Sequence, residues 1–136
     1  MTVSELAKRA MVTAETVRYY TRNGLLFPLR DENNGYHCYN NADLARLSFI
    51  RKARLLGFSI ANIREIFKES SNKQSTCPQV RKIMGKKLQE TRLKLQEMTK
   101  LQDRMEHAAK LWMHMPDGEP AGHCICHLIE KIAMED

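Results

Sequence analysis

The chain has 136 residues, 22 Lys and Arg against 16 Asp and Glu, and a formal net charge of +6. A soluble chain of this length forms one domain, or a small domain with one long appendage, which excludes a large two-domain enzyme. Its 43% hydrophobic and 28% charged residues exclude wholesale disorder, and no apolar run approaches the roughly 20 residues that span a bilayer. Because the N-terminus lacks the pattern of a secretory signal, we expect a cytoplasmic protein whose cysteines are reduced.

Two short helices are predicted at the N-terminus. Thr2 and Glu5 have the spacing of a capping box, which predicts a helix over residues 3–10. Thr13 is a suitable N-cap for a second helix over residues 14–22. Two short helices joined by about three residues are typical of a helix-turn-helix.

A small β wing and two further helices are predicted next. Residues 33–35 (Asn-Asn-Gly) are a hairpin-type turn, and residues 36–39 follow it with alternating aromatic side chains. Asn40 or Asn41 caps a third helix, and Ser59 caps a fourth. Both helices carry apolar residues at spacings of three and four, which indicates that one face of each is buried.

A single long helix is predicted after a polar linker over residues 70–76. Residues 78–113 contain one Gly and no Pro beyond the first position, which favours a helix of roughly 36 residues, or about 54 Å. A narrow apolar seam runs along it through Met84, Leu88, Thr91, Leu95, Met98, Leu101, Met105, Ala108 and Trp112. Such a helix is unstable alone, so the seam predicts a coiled coil with a second copy of the chain, that is, a homodimer.

Side chains suited to DNA lie in the first half of the chain, where residues 1–69 carry a net charge of +4. A helix-turn-helix inserts its second helix in the major groove, while basic and hydroxyl-bearing side chains hold phosphate on either side. Tyr19 or Tyr20 has an alternative interpretation as a core aromatic residue with a satisfied hydroxyl. The candidate DNA-binding residues are Thr16, Arg18, Tyr19, Tyr20, Tyr36, His37, Tyr39 and Arg54.

Several separated motifs occur together in residues 1–69. They are residues 3–7 (VSELA), 15–20 (ETVRYY), 24–26 (GLL), 34–36 (NGY) with Tyr39, and 55–60 (LLGFSI). By these motifs the chain resembles the MerR family of bacterial transcription regulators. The resemblance implies a mainly α fold in three parts. These are a winged helix-turn-helix DNA-binding domain (1–69), a linker and long antiparallel coiled-coil dimerisation helix (70–115), and a short C-terminal metal-binding loop and helix (116–136).

The resemblance also implies roles for single residues. It assigns DNA contacts to Arg18 and Tyr20 on the recognition helix, and to Tyr36 and Tyr39 in the wing. It further assigns a phosphate contact from the third helix to Arg54. Members of the family usually carry Arg directly after the Gly-Tyr of the wing. Here that residue is His37, so we expect this phosphate contact to be weakened or to depend on pH.

The cysteines point to a metal site. Cys77 lies just before the long helix, and Cys124 and Cys126 form a CxC flanked by His123 and His127. Thiolates and imidazoles are the ligands preferred by zinc and its heavier relatives. In an antiparallel dimer the start of one long helix lies near the end of its partner. The CxC loop of one chain is therefore expected to lie near Cys77 of the other chain.

The resemblance narrows the choice of metal ion but leaves the set of metal ligands open. Relatives that answer divalent ions carry Cys at position 77, where the monovalent copper sensors carry Ser. This favours Zn, Cd, Pb or Hg, with zinc first, over Cu(I). Metal-sensing relatives usually carry another Cys earlier in the loop, at the places that Asp117 and Gly118 occupy here. Cys124 is the candidate substitute; without it, Cys77 and Cys126 remain, helped by a flanking histidine.

These expectations combine into a dimeric transcription regulator that binds a palindromic promoter element and acts with RNA polymerase. The resemblance implies that metal binding switches the promoter from a repressed to an activated DNA geometry. A thiol-based redox or electrophile sensor that uses the same cysteines is the alternative. No Gly-rich phosphate loop, carboxylate pair or nucleophile triad is present, so an enzyme is not predicted. Cys38 is expected to be a small buried apolar residue.

Overall fold

The computed structural model describes residues 1–134 and is mainly α-helical, as predicted. Residues 1–87 form one compact unit, and a second unit begins at residue 88. Within residues 1–134 no helix combines the length and apolar character that crossing a bilayer requires. The elements in chain order are α1 (Val3–Ala10), α2 (Ala14–Arg22), β1 (Leu29–Arg30), β2 (His37–Cys38), α3 (Asn41–Leu55), α4 (Ile60–Ser71), α5 (Cys77–Met113) and α6 (His127–Glu130).

The capping residues predicted from the sequence set the starts of the first helices. The Thr2 hydroxyl accepts a hydrogen bond from the Glu5 N–H at 3.2 Å, and the Glu5 carboxylate accepts one from the Thr2 N–H. At the start of α2, the Thr13 hydroxyl accepts from the Thr16 N–H at 3.1 Å. These bonds satisfy backbone donors that the first turn of a helix leaves free. The predicted helix-turn-helix is confirmed.

The core of the first unit joins all of its helices. Its innermost apolar side chains are fully buried, namely Leu6, Val17, Leu25, Leu47, Ile50 and Ile63. The first turns of α5 also pack on this core through Val80, Ile83 and Met84. The long helix is therefore anchored in the first unit. The linker before it is shorter than predicted, since α4 continues to Ser71 and leaves residues 72–76.

The wing is a two-stranded antiparallel hairpin. Arg30 of β1 pairs with His37 of β2. Gly35 in the turn has φ +72°, a left-handed conformation that side chains other than glycine rarely adopt. Cys38 is exposed, so the expectation that it is buried was wrong. The hairpin is a two-stranded sheet, and no second layer of the described structure covers this side chain.

A buried carboxylate joins the wing to α3. Asp43 is fully buried, and its two oxygens accept hydrogen bonds from the Phe27 N–H at 3.0 Å and the Asn40 N–H at 3.1 Å. The Asn40 side chain in turn accepts from the Asp43 N–H, which completes a capping box. Asp43 thus holds together two segments that are not adjacent in the chain.

The second unit contains the rest of α5 and the terminal loop. The predicted seam of α5 is exposed in a single chain, as Leu95 and Met105 illustrate. Near the end of α5, the Trp112 indole N–H donates to the Leu128 carbonyl at 2.9 Å, which ties the helix to α6. The terminal helix predicted over residues 128–134 is only one turn long and ends at Glu130. Ile129, Ile132 and Met134 are exposed. Because short helices depend on the packing of an apolar face, these residues do not extend the helix.

Candidate functional site

A groove of about 570 Å³ runs between the recognition helix α2 and the wing. Arg18 and Arg22 line it from α2, and Arg30 lines it from β1. Tyr36 and His37 of the wing complete the side opposite α2. A concave surface with three guanidinium groups attracts polyanions, and guanidinium pairs well with phosphate oxygens. This groove is a candidate nucleic-acid surface of the first unit.

One carboxylate pairs with two of these arginines. Glu15 lies 3.8 Å from Arg18 Nη1 and 3.0 Å from Arg22 Nη2. All three side chains are more than half exposed. Ion pairs this exposed contribute about 0–1 kcal/mol, so phosphate can displace the carboxylate at small cost.

The predicted tyrosines divide into exposed and buried pairs. Tyr36 is 74% exposed and Tyr19 44% exposed, so both are accessible to a partner. Tyr20 and Tyr39 lie in the core, at 9% and 2% exposure. The Tyr39 hydroxyl is 2.8 Å from the Thr21 hydroxyl of α2. This bond fixes the root of the wing against the recognition helix.

Thr16 and His37, two of the predicted DNA-binding residues, each have a partner within the first unit. The Thr16 hydroxyl is 2.8 Å from the Thr13 hydroxyl at the start of α2. The His37 ring is half-buried and meets the Tyr39 ring edge to face, with centroids 6.1 Å apart. Tyr39 therefore positions His37 in the groove.

Two arginines of α3 donate hydrogen bonds to backbone carbonyls. Arg54 Nη1 donates to the Phe58 carbonyl at 3.0 Å, across the turn between α3 and α4. Arg51 Nη1 donates to the Ala10 carbonyl at 2.8 Å, at the end of α1. Each guanidinium carries five N–H donors, so the exposed Arg54 retains donors for a phosphate. Arg51, which also has phosphate-binding chemistry, joins α3 to α1.

Sequence reasoning overlooked Arg30 as a groove residue. Its place follows from the hairpin register, because Arg30 pairs directly with His37. Side chains on directly opposed residues of a hairpin lie on the same face. Counting back from the predicted turn over residues 33–35 would have paired Asp31 with His37, so the turn alone does not place Arg30 in the groove.

Glu130 holds the CxC loop. Its carboxylate accepts a hydrogen bond from the Cys124 thiol at 2.8 Å, and from the backbone N–H groups of Ile125 and Cys126 at 3.2 Å each. The hydrogen bond to Glu130, then burial, raises the pKa of the Cys124 thiol. The same bond to Cys124, followed by the Ile125 N–H, lowers the pKa of Glu130.

Replacing Glu130 is expected to make Cys124 more reactive. In Glu130→Gln the thiol loses the carboxylate that raises its pKa, so more thiolate is present at pH 7.5 and alkylation by iodoacetamide is faster. The rate is measured for each cysteine by mass spectrometry of the metal-free protein. Glu119→Gln, in the same exposed loop, is the matched control. Equal Cys124 rates in wild type and Glu130→Gln would show that the carboxylate does not control this thiol.

The two histidines beside the CxC differ in their surroundings. His127 is half-buried, and its Nε2 lies 2.9 Å from the Pro116 carbonyl oxygen. His123 is exposed. A backbone bridge between Ala121 and Cys124 closes the loop beneath them.

Cys77 is exposed at the first residue of α5 and belongs to the first unit. Cys124 and Cys126 belong to the second unit and are half-buried. Among residues 1–134 of one chain, no three Cys, His, Asp or Glu side chains gather in a way that would hold a metal ion. The donor chemistry of the terminal loop suits zinc-like ions, but one chain in this state does not assemble a closed site.

Comparison with known proteins agrees with these features. Residues 1–70 match the family model described as MerR HTH family regulatory protein, and residues 44–108 match the one described as MerR, DNA binding. The chain is 37% identical over 101 residues to the HTH-type transcriptional regulator ZntR of Escherichia coli (strain K12), covering 74% of this chain and 72% of ZntR. It is 35% identical over 107 residues to the HTH-type transcriptional regulator HmrR of Rhizobium leguminosarum bv. viciae, and the match covers 79% of this chain and 82% of HmrR.

A solved structure extends the likeness to nearly the whole chain. The transcription regulator PbrR691 from Ralstonia metallidurans CH34, in complex with lead(II), superposes with a TM-score of 0.76 at 25% identity. The match covers 98% of this chain and 99% of PbrR691. These relatives are transcription regulators and not enzymes. With its helix-turn-helix, its basic groove and both family models in agreement, the chain belongs to the MerR family of DNA-binding transcription regulators.

Proposed function

We propose that this protein is a cytoplasmic, metal-responsive member of the MerR family, switched by a divalent or thiophilic ion, with Zn²⁺ first among Zn, Cd, Pb and Hg. The observation that carries the proposal is the terminal loop. There Cys124, Cys126 and His127 lie within four residues, held by a bridge and by Glu130. The lead(II) complex of PbrR691, which covers this loop region as well, supports it.

The groove of the first unit is the proposed DNA contact surface. Arg18 of α2 and Arg30 and His37 of the wing reach phosphate and the major groove, and the exposed Tyr36 extends the wing. Thr16, Tyr19 and Arg54 are proposed contacts at its edges. Because Tyr20 and Tyr39 are buried, we assign them to positioning α2 and the wing for these contacts.

The exposed seam of α5 supports a dimer. Leu88, Leu95, Met98 and Met105 are each 45% or more exposed in one chain. An antiparallel coiled coil with a second copy covers these side chains and presents two DNA-binding units to a palindromic element. The dimer also brings the partner's Cys77 toward the terminal loop.

The proposed metal ligands therefore come from two chains. One chain supplies Cys124 and Cys126 with His123 or His127, and its partner supplies Cys77. A bound ion would cross-link the loop to the partner's helix. Each ligating thiol must lose its proton, so Cys124 must leave the carboxylate of Glu130 when an ion binds.

The proposed switch acts on DNA geometry. An ion that binds one arrangement of the dimer more tightly than another shifts the population toward it. Through α5, which is anchored in the core of the DNA-binding unit, this shift repositions the two recognition helices and wings. Bending and untwisting a promoter costs a few kcal/mol, about what such differential binding provides. The deformed promoter is then used by RNA polymerase.

Loss of a groove arginine is expected to weaken DNA binding. Arg18→Ala and Arg30→Ala should each lower operator affinity by about 100-fold or more, since each removes one contact from each chain of the dimer and a charge-assisted hydrogen bond contributes about 1.5–3 kcal/mol. Each should also reduce the slope of log K against log salt by about 1.8, that is, about 0.9 for each of the two phosphate contacts. Fluorescence anisotropy over a salt series measures both. Arg104→Ala, on α5, is the control and should leave both the operator affinity and the salt slope unchanged. If the slope were unchanged in both groove variants, the groove would not be part of the DNA interface.

The function is tested with a promoter reporter. Cells carrying the regulator and its promoter are exposed to Zn, Cd, Pb, Hg, Cu, Co and an electrophile, and the metal content of the purified protein is measured in parallel. Induction by one or more of the metals with ion bound supports the proposal. Induction by the electrophile alone, with no bound ion, would replace it with the thiol-sensor alternative.

A further inference from the structure

The His127 ring is held in one tautomer by the backbone. Its Nε2 lies 2.9 Å from the Pro116 carbonyl oxygen, and a carbonyl oxygen only accepts. Nε2 must therefore carry the proton. In a neutral imidazole the other nitrogen, Nδ1, then has a free lone pair. The contact with Pro116 prepares Nδ1 to act as a ligand.

The same ring occupies the space above Gly118. A Cβ placed on Gly118 would lie 2.5 Å from His127 Cδ2 and 2.9 Å from Nε2, closer than real Cβ atoms approach. Gly118 is not among the glycines with a left-handed backbone, so an added side chain here would meet the His127 ring and not a backbone restriction. Position 118 therefore carries no side chain, and the imidazole fills the space instead.

We propose that His127 is the nitrogen ligand of the metal site, bound through Nδ1, and that it supplies the donor that position 118 lacks. The proposal rests on the metal-sensing function and assigns one of the two flanking histidines. His123, in contrast, is exposed and makes no side-chain hydrogen bond among the described residues.

The Pro116 contact is the arrangement that a ligating histidine needs. Histidine ligands commonly donate their second ring N–H to a backbone carbonyl, which fixes the ring and raises its basicity. One imidazole added to thiolates makes a mixed site that suits borderline ions such as Zn²⁺ and Co²⁺. A softer ion such as Hg²⁺ depends mainly on the thiolates. His127 is therefore expected to matter more for the borderline ions.

Cobalt titration of the full-length protein tests the assignment. His127→Ala should bind Co²⁺ at least about tenfold more weakly, with shifted d–d bands and a retained thiolate-to-cobalt charge-transfer band. His114→Ala, at the end of α5, is the matched control. His123→Ala tests the rival nitrogen and should leave the d–d bands unshifted. In metal-free wild type, ¹⁵N NMR should show the His127 proton on Nε2.

The outcomes separate this inference from the proposed function. An unchanged affinity and unchanged d–d bands in His127→Ala would overturn the assignment, as would a shift seen only in His123→Ala. Absence of the charge-transfer band in wild type would instead overturn the thiolate metal site itself. Helical circular dichroism and operator binding identify any variant that fails to fold.

A variant that removes no donor gives a second test. Gly118→Ala displaces the ring sterically, so it should weaken Co²⁺ binding and shift the d–d bands as His127→Ala does. Combined with His127→Ala, it should cause no further loss, because the ring that it displaces is gone. Additive losses in the double variant would show that position 118 acts independently of His127 and would overturn the steric part of the proposal.

Discussion

A heterodimer of one Cys77→Ser subunit and one Cys126→Ser subunit is expected to bind one metal ion tightly and to retain part of the metal response. Either variant as a homodimer is expected to bind none tightly and to lose induction. The reason is the proposed sharing of ligands between chains. Cys77 begins α5 in the first unit, whereas Cys126 lies in the terminal loop of the second.

The heterodimer distinguishes shared from separate sites by simple counting. If Cys77 of one chain joins Cys126 of its partner, the mixed dimer has one site with both cysteines and one site with neither. If each site used cysteines of a single chain, both sites would lack one ligand. Metal content after tandem purification through two different tags measures the difference. A mixed dimer without tightly bound metal would contradict the shared site.

Two controls accompany this experiment. Cys38→Ser removes an exposed cysteine in the wing and should leave the metal content unchanged. Operator binding by the Cys77→Ser and Cys126→Ser homodimers should remain within about twofold of wild type, since neither cysteine lines the groove. Loss of operator binding in a folded cysteine variant would contradict the separation of the DNA surface from the sensor.

Local signals in the sequence were enough to predict most of the first unit. Thr2, Thr13, Asn40 and Ser59 each cap the helix that follows, and the capping side chain directly satisfies a backbone donor. The hairpin turn is equally local, since Gly35 needs a left-handed backbone. Such signals involve neighbours within a few residues, so they are visible without tertiary structure.

Contacts between distant residues were not predictable in this way. The Tyr39 hydroxyl meets Thr21, and Arg51 meets the carbonyl of Ala10, more than a dozen residues away in each case. Residue type identifies these side chains as suited to DNA binding, but it does not show that they form hydrogen bonds within the fold. Arg30 was missed for the same reason, because the strand register that places it is tertiary information.

The donor residues of the candidate metal site could be predicted from the sequence, but the contacts that surround them could not. The CxC and its flanking histidines are visible in the sequence, and the soft-donor chemistry follows from residue type alone. The positions of Glu130 at the thiol and of the His127 ring above Gly118 arise from the folding of the loop. The first contact raises the pKa of the Cys124 thiol, and the second fills the space above Gly118 with the His127 ring.

Asp43→Ala is expected to lower the free energy of unfolding by about 2–4 kcal/mol. The substitution leaves two partly buried N–H groups, of Phe27 and Asn40, without their carboxylate acceptor, and it removes the ion pair between Asp43 and Arg46. A buried donor without an acceptor costs about 1–3 kcal/mol, and partial burial places each of these donors toward the lower end. Urea unfolding followed by circular dichroism at 222 nm, at one fixed protein concentration, measures the change. Asp43→Asn retains one carbonyl acceptor, so its loss should be smaller and should remain measurable if Asp43→Ala does not fold.

Glu5→Ala is the matched control for this prediction. Glu5 and Asp43 are both the third helical residue of a capping box, but Glu5 is exposed and Asp43 is fully buried. Water can replace the acceptor at Glu5, so its removal should cost less than about 1 kcal/mol. The difference between the two variants therefore measures burial and not capping. Equal losses would show that Asp43 acts only as a helix cap, and that its bond to Phe27 does not stabilise the connection between α2 and the wing.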